Sequence, residues 1–273
     1  MLIKLIKHEL IATYRTYLTI YLGAFSLSIM IGLMSFLDGM DLIFIALLLI
    51  AFSVFIGTVI IFIIQTIRMF DRDLYSPHGY LTLTLPVPTW QILMSKIITL
   101  LFWLIMSGLV FAICTFLSFW LVASKYGSIN ELMKAYTDTI KFMERLGLPY
   151  YYYIIAILEF LIRVVYAITL IGFSLSIVSI GWLRKGKKAV AVFIYFTSNQ
   201  IFNYINVRLS QTLEIGNELS EALQRQLSSY SNIGDLSEGL LTDALFNIAF
   251  YLLLGVGFYT LVCWIIDNRI EIE

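Results

Sequence analysis

Charge is what this chain has least of. Only 13% of its 273 residues are Asp, Glu, Lys or Arg, about half the roughly 25% carried by an average soluble domain. A water-soluble fold of this length has too little polar surface to cover a chain that is 60% hydrophobic. The 18 basic and 18 acidic residues cancel, so the basic footprint of a nucleic-acid-binding protein is missing and no nucleic-acid partner is expected. Cysteine is scarce as well. Cys114 and Cys263 both lie inside apolar blocks and form neither a disulfide framework nor a metal-ligand spacing. The two histidines, His8 and His78, lie outside those blocks. No intramembrane histidine site is therefore expected, and with no H-E-x-x-H and no paired aspartates inside an apolar block, catalysis by this chain alone is not expected either. The first ten residues have charges scattered among apolar residues and no small-residue cleavage site, which argues against a cleaved signal peptide.

What the chain does have is long apolar blocks. Six approach or exceed the roughly 20 residues that cross a bilayer: about 17–37, 42–67, 97–123, 151–183, 189–207 and 244–266. The fifth is short and unusually polar. The expected fold is all-α and integral to the membrane, a single transmembrane domain over 1–273 with six transmembrane helices. Lys and Arg near the span ends set the orientation. Lys4, Lys7, Arg15, Arg68, Arg72, Lys96, Arg184, Lys185, Lys187, Lys188 and Arg269 fall on one side. On the other side, Lys125, Lys134, Lys141, Arg145, Arg208 and Arg225 are diluted by many acids. The first side is read as cytoplasmic, with both termini inside.

Residues 1–16 read as an amphipathic surface helix leading into the first span. Leu2, Ile6 and Leu10 line one side, while Lys4, Lys7, His8 and Arg15 reach toward anionic headgroups of the bilayer. Two external segments, 124–150 and 208–243, are too long to be turns. Ser128 and Glu131 have capping-box spacing. They open a pattern with Ile129, Leu132, Tyr136, Ile140 and Met143 on one face, ended by Gly147 and Pro149. In the second segment Leu213, Leu219, Leu223 and Leu227 mark a weaker helix.

Candidate chemistry is sparse. The run from Gly181 to Lys188 nearly spells a phosphate loop, but Lys188 stands where Ser or Thr would hold magnesium, and the run follows a membrane span rather than a strand. It reads as a basic topology-fixing loop. Glu159 and Arg163 sit inside the fourth span at i, i+4 spacing in the favourable order. Charge there costs about 2.5–3.5 kcal/mol on insertion scales, so the pair is expected to face protein or water. Either it is a polar site on a substrate path or subunit contact, or it is a self-neutralised structural pair in the outer third of the span. Glu159 is a lone acid, which disfavours an ion-coupled carrier. In the fifth span Asn199, Gln200 and Asn203 could join helices by hydrogen bonds or wet a cavity.

The most informative stretch joins the second and third spans, over 68–96. It begins with a charged continuation of the second span (Arg68, Asp71, Arg72, Asp73), turns at Ser76 and Pro77, and then alternates leucine with threonine from Gly79 to Leu85. Pro86 and Pro88 end that run, and Thr89 is placed to cap the next helix. Tyr75, Tyr80, Leu81 and Leu83 make this loop apolar, as a loop that docks on another protein would be. The runs Asp71-Arg-Asp-Leu-Tyr-Ser76 and Gly79-Tyr-Leu-Thr-Leu-Thr-Leu-Pro-Val87, followed by Ser95-Lys96, resemble the permeases of ABC-2 type exporters. The likeness is to small Gram-positive permeases found with peptide-handling or peptide-resistance ATPases. Lys7-His-Glu-Leu10 is similar to their N-terminal segment. Only the loop is specific in this likeness; the rest is six-span layout.

The resemblance implies a subunit of the bacterial plasma membrane that moves amphipathic or antimicrobial peptides outward. Two permease chains, a second copy or a related one, would form the path. Two separate cytoplasmic ABC ATPase subunits would bind ATP and magnesium, leaving no cofactor in this chain. The loop would be the coupling helix, a role carried onto Asp71, Arg72, Asp73, Leu74, Tyr75, Gly79, Tyr80 and Leu81. Multidrug or lipid export, and a non-transport membrane sensor or scaffold, stand as alternatives.

Overall fold

The computed structural model describes residues 1–34, 41–75, 87–125, 134, 137–138, 150–179, 186–213 and 234–269. Among them are six long helices and no strand: α1 (Leu2–Met34), α2 (Asp41–Leu74), α3 (Thr89–Lys125), α4 (Tyr150–Ser179), α5 (Lys187–Thr212) and α6 (Gly234–Arg269). Five contain stretches long and apolar enough to cross a membrane: Leu2–Met34, Ile45–Arg72, Thr89–Leu121, Tyr151–Ser179 and Leu240–Asn268. The chain is a multi-pass helical membrane protein. In a bilayer interior only closed hydrogen-bonded elements are stable, and continuous helices satisfy every backbone group within one segment.

Several helices run past the apolar blocks. α1 is one unbroken helix of 33 residues, so residues 1–16 and the first span are a single element rather than a surface helix followed by a span. α6 begins at Gly234, ten residues before the expected span. At 1.5 Å per residue its 36 residues reach about 54 Å, longer than the roughly 40–45 Å bilayer. Hydropathy marks the limits of the hydrocarbon, whereas backbone hydrogen bonding carries a helix beyond it. α3 starts at Thr89. The Pro88 carbonyl accepts the first bond, from the Gln91 amide, and the Thr89 hydroxyl donates to Asp267 on α6 at 3.2 Å. α5, the expected fifth span, is helical but falls short of the apolar character of the other five. Thr197, Ser198, Asn199, Gln200, Asn203 and Asn206 are the reason. Of the external amphipathic helix over 128–146 only residues 134, 137 and 138 are described, all of them helical, and the segment 214–233 lies outside the described residues.

The chain divides into two compact units, one of residues 1–69 and 94–139, the other of 70–93 and 140–273. In the first, α1 and α3 run parallel and meet along a polar seam. Lys96 Nζ lies 2.7 Å from Glu9 Oε1. The Trp103 indole N–H donates to the Thr13 hydroxyl at 2.8 Å, and Tyr17 stacks on the Trp103 ring with centroids 4.4 Å apart. The Tyr21 and Ser107 hydroxyls share a hydrogen bond, and Ser28 donates to the Cys114 carbonyl at 2.7 Å. At the far end Gly32 lets the helices touch, because a Cβ there would overlap Leu121. Residues 9, 13, 17, 21, 28 and 32 are spaced by mostly four, so they share one face of α1.

In the second unit α4 and α6 also run parallel, around Tyr166, Leu170, Tyr251 and Phe258, with Phe173, Tyr195 and Phe202 packed against them. The C-terminal end of α2, from Phe70 on, belongs to this unit. Gly172 on α4 makes room for it: a Cβ at that position would come within 2.7 Å of the Phe70 ring.

Candidate functional site

Two places in the second unit combine polar chemistry with an unusual setting. The first is inside the membrane. Glu159 and Arg163 are the tenth and fourteenth residues of the 30-residue α4, about 14 and 20 Å from its start. Tyr150–Tyr153 open that helix, where an interfacial aromatic belt would sit. Glu159 lies at one third of the helix, as expected from the sequence, and Arg163 lies near its middle. The i, i+4 spacing brings Arg163 Nη2 to 2.8 Å from Glu159 Oε1. Glu159 is largely covered, whereas the Arg163 side chain is 50% exposed. Its guanidinium stands 4.9 Å above the Tyr251 ring, a cation–π contact worth about 0.5–2 kcal/mol depending on desolvation.

Around this pair α6 supplies a stripe at i, i+4, i+8: Asp243, Asn247 and Tyr251. Asn247 is buried, donates to Asp243 Oδ2 at 3.2 Å and accepts from Asn206 of α5 at 3.1 Å. The Tyr166 hydroxyl, 3% exposed, has no hydrogen-bond partner among the described residues. Asn206 and Asn247 are the interhelical amide pair. The sequence reading placed that role on Asn199, Gln200 and Asn203 instead. Those three behave differently: Asn199 is half-buried, and Gln200 and Asn203 are exposed on the outside of α5. The signal for Asn247 was its spacing from Asp243 and Tyr251, which becomes visible only once α6 is known to begin before residue 244.

The second place is the end of α2. The helix continues seven residues beyond the expected span, so Arg68, Asp71, Arg72, Asp73 and Leu74 are all helical. Their side chains part company. Phe70 and Leu74 are buried at 2% exposure each, and the Tyr75 hydroxyl is hydrogen-bonded to Ser176 of α4. Burial pushes the Tyr75 phenol well above its ordinary range, against a smaller opposing effect of the Ser176 bond. It therefore stays a neutral hydroxyl. Arg68 and Arg72 are exposed and Asp71 is half-exposed. Leu74 is buried and the Tyr75 hydroxyl meets Ser176 of α4, whereas the resemblance places both in a docking loop. Gly79, Tyr80 and Leu81 lie outside the described residues. On α6 the Tyr259 hydroxyl donates to the Trp90 carbonyl at 2.7 Å, which with the Thr89–Asp267 bond ties the start of α3 to α6.

The chain matches no family model, no curated protein and no solved structure. Its chemistry is thus read from these contacts alone. No group of three or more His, Cys, Asp or Glu side chains able to hold a metal occurs among the described residues. In the first unit a cavity of about 740 Å³ lies between α1, α2 and α3, walled by Phe52, Phe55, Phe111 and Phe119 with Ser28 and Cys114 at its floor. No charged residue lines it.

The basic residues Lys4, Lys7 and Arg15 are all exposed on α1. Lys96, read from the sequence as a loop-end cation, is completely buried and paired with Glu9. The sequence reading missed this pair because its members are 87 residues apart.

Proposed function

We propose that this chain is the membrane permease subunit of an ATP-driven exporter of the ABC-2 type. It would sit in the bacterial plasma membrane with six spans and both termini cytoplasmic, and move amphipathic or antimicrobial peptides outward. One observation carries the reading. The end of α2 is a charged ledge presenting Arg68 and Arg72, with Phe70 against Gly172 and Tyr75 bonded to Ser176 of α4. A soluble motor pushing on such a ledge would displace α4 directly, because packed side chains transmit displacement with little compression. α4 is the helix that bears Glu159 and Arg163. An exposed cation near the middle of a membrane helix favours a water-filled path over a lipid-facing wall.

The outer face of α5 supports a paired assembly. Gln200 and Asn203 stand there among Phe193, Phe196 and Tyr204, all exposed. Amides at that depth are costly against hydrocarbon and favourable against a second helix or water. A second copy, or a related permease, would cover them. ATP and magnesium would be held by two cytoplasmic ATPase subunits.

The test is to purify the tagged chain from native membranes and identify its partners by mass spectrometry, alongside a variant carrying Asp71→Lys and Arg72→Glu. A stoichiometric soluble ATPase with the wild type, reduced several-fold in the charge-reversed variant at equal permease yield, is expected. Recovery of the wild type with only non-ATPase partners would replace this reading with a sensor or scaffold.

A further inference from the structure

We infer that the N-terminal half of α1 carries a binding surface for the headgroups of anionic phospholipids. At about 100° of rotation per residue, Lys4, Lys7, Ile11, Arg15, Leu18 and Leu22 fall on one face of α1. All six are exposed. Glu9 falls on nearly the opposite face, where it is consumed by Lys96 at 2.7 Å. The next acid in the sequence is Asp38, so no carboxylate of α1 compensates the exposed cations.

The same contact fixes how the helix is rotated. Thr13 is held by the Trp103 indole and Tyr17 is stacked on the Trp103 ring. With residues 9, 13 and 17 locked onto α3, the basic face must point away from it. The order of residues along that face matches the cross-section of one leaflet. Lys4, Lys7 and Arg15, with Ile11 between them, come first, and beyond Arg15 the face is wholly apolar through Leu18, Leu22 and Phe25. Tyr14 lies at the boundary, its hydroxyl accepting from Arg15 Nε at 3.2 Å. From Lys4 to Arg15 the axial rise is about 17 Å, enough to cross the headgroup zone. Because α1 is unbroken, the depth of its apolar half sets the depth of its basic half. A diffuse basic tail would lack that register. The occupant is a phosphate headgroup of a bilayer lipid, supplied by the anionic cytoplasmic leaflet, where each nearby Lys or Arg contributes attraction. This holds whether or not the chain is an exporter subunit.

The experiment uses the full-length chain in a neutral detergent, titrated with phosphatidylglycerol or with phosphatidylcholine of the same acyl chains, and read by native mass spectrometry. Phosphatidylglycerol should be preferred by roughly a hundredfold, about fivefold for each of the three Lys and Arg side chains. Raising the salt should shrink the preference. A variant with Lys4→Gln, Lys7→Gln and Arg15→Gln should lose it, and one with Lys4→Arg, Lys7→Arg and Arg15→Lys should keep it. Equal binding of the two lipids by the wild type would overturn the inference. So would a preference that survives the glutamine set, or is lost equally in the charge-conserving set. An acidic peptide that binds this face where phosphatidylglycerol does not would overturn it in favour of a protein partner.

Discussion

Neutralising Glu9 should cost more than neutralising Glu9 and Lys96 together. Lys96 has no solvent exposure and its ammonium lies 2.7 Å from the Glu9 carboxylate, which is 14% exposed. Glu9→Gln removes the carboxylate 2.7 Å from a fully buried ammonium, a loss that for a buried pair is about 3–5 kcal/mol. Lys96→Met leaves the acid instead. Glu9 retains some access to water near the helix start, so about 1–3 kcal/mol is expected, the cost of a polar group that loses its buried partner. Glu9→Gln with Lys96→Met removes both charges. Apolar replacement of a buried pair is often close to neutral or stabilising by about 1–4 kcal/mol, so the double variant should lie near the wild type. Reversible unfolding of the purified chain in mixed micelles, followed by helical circular dichroism, measures all four members of the cycle. A Glu9→Gln variant as stable as the double variant, or a double variant that loses as much as the two singles summed, would refute the coupling of this pair.

Two further outcomes follow from the second unit. Glu159→Gln leaves Arg163 uncompensated near the middle of α4. Its destabilisation should stay below the roughly 2.5–3.5 kcal/mol of insertion scales, because half of the side chain is exposed and the Tyr251 ring remains. Glu159→Gln with Arg163→Met should restore most of the loss in the same unfolding assay, and equal, negligible effects would mean that water already solvates the pair. Gly172→Ala forces a methyl against the Phe70 ring and should cost about 1–3 kcal/mol as overpacking. Adding Phe70→Leu should recover part of it, whereas no recovery would show that the α2 end is not seated on α4 at that point.

How much of this was legible beforehand differs from residue to residue. The Glu159–Arg163 contact could be read directly, because i, i+4 spacing on a helix is a local relation that needs no fold. Cys114 and Cys263 could be read as free thiols inside apolar helices for the same kind of reason. The Asn206–Asn247 pair could not be read, since the partners sit on different helices and nothing in either neighbourhood fixes which amide turns inward. The surroundings of Leu74 and Tyr75 could not be read either, since the burial of Leu74 and the Tyr75–Ser176 bond depend on other helices. Apolar residues beyond a span can seat on the chain's own surface as well as on a partner, and Gly172 and Ser176 of α4 supply such a surface to Phe70 and Tyr75.

Composition and hydropathy by themselves determined that this chain lives in a membrane as a set of long helices, because at 13% charge and 60% hydrophobic residues it cannot be solvated in any other way. They also determined roughly where those helices cross, since the hydrocarbon thickness is a property of the bilayer and not of the fold. Tertiary structure alone decided which way each helix is rotated. In lipid no general hydrophobic force ranks one apolar face over another, so the choice falls to a few polar and close-packed contacts. Glu9 with Lys96, Thr13 with Trp103, and Gly172 with Phe70 made that choice here. They put the α1 cations on an outer face and turned Leu74 and Tyr75 inward.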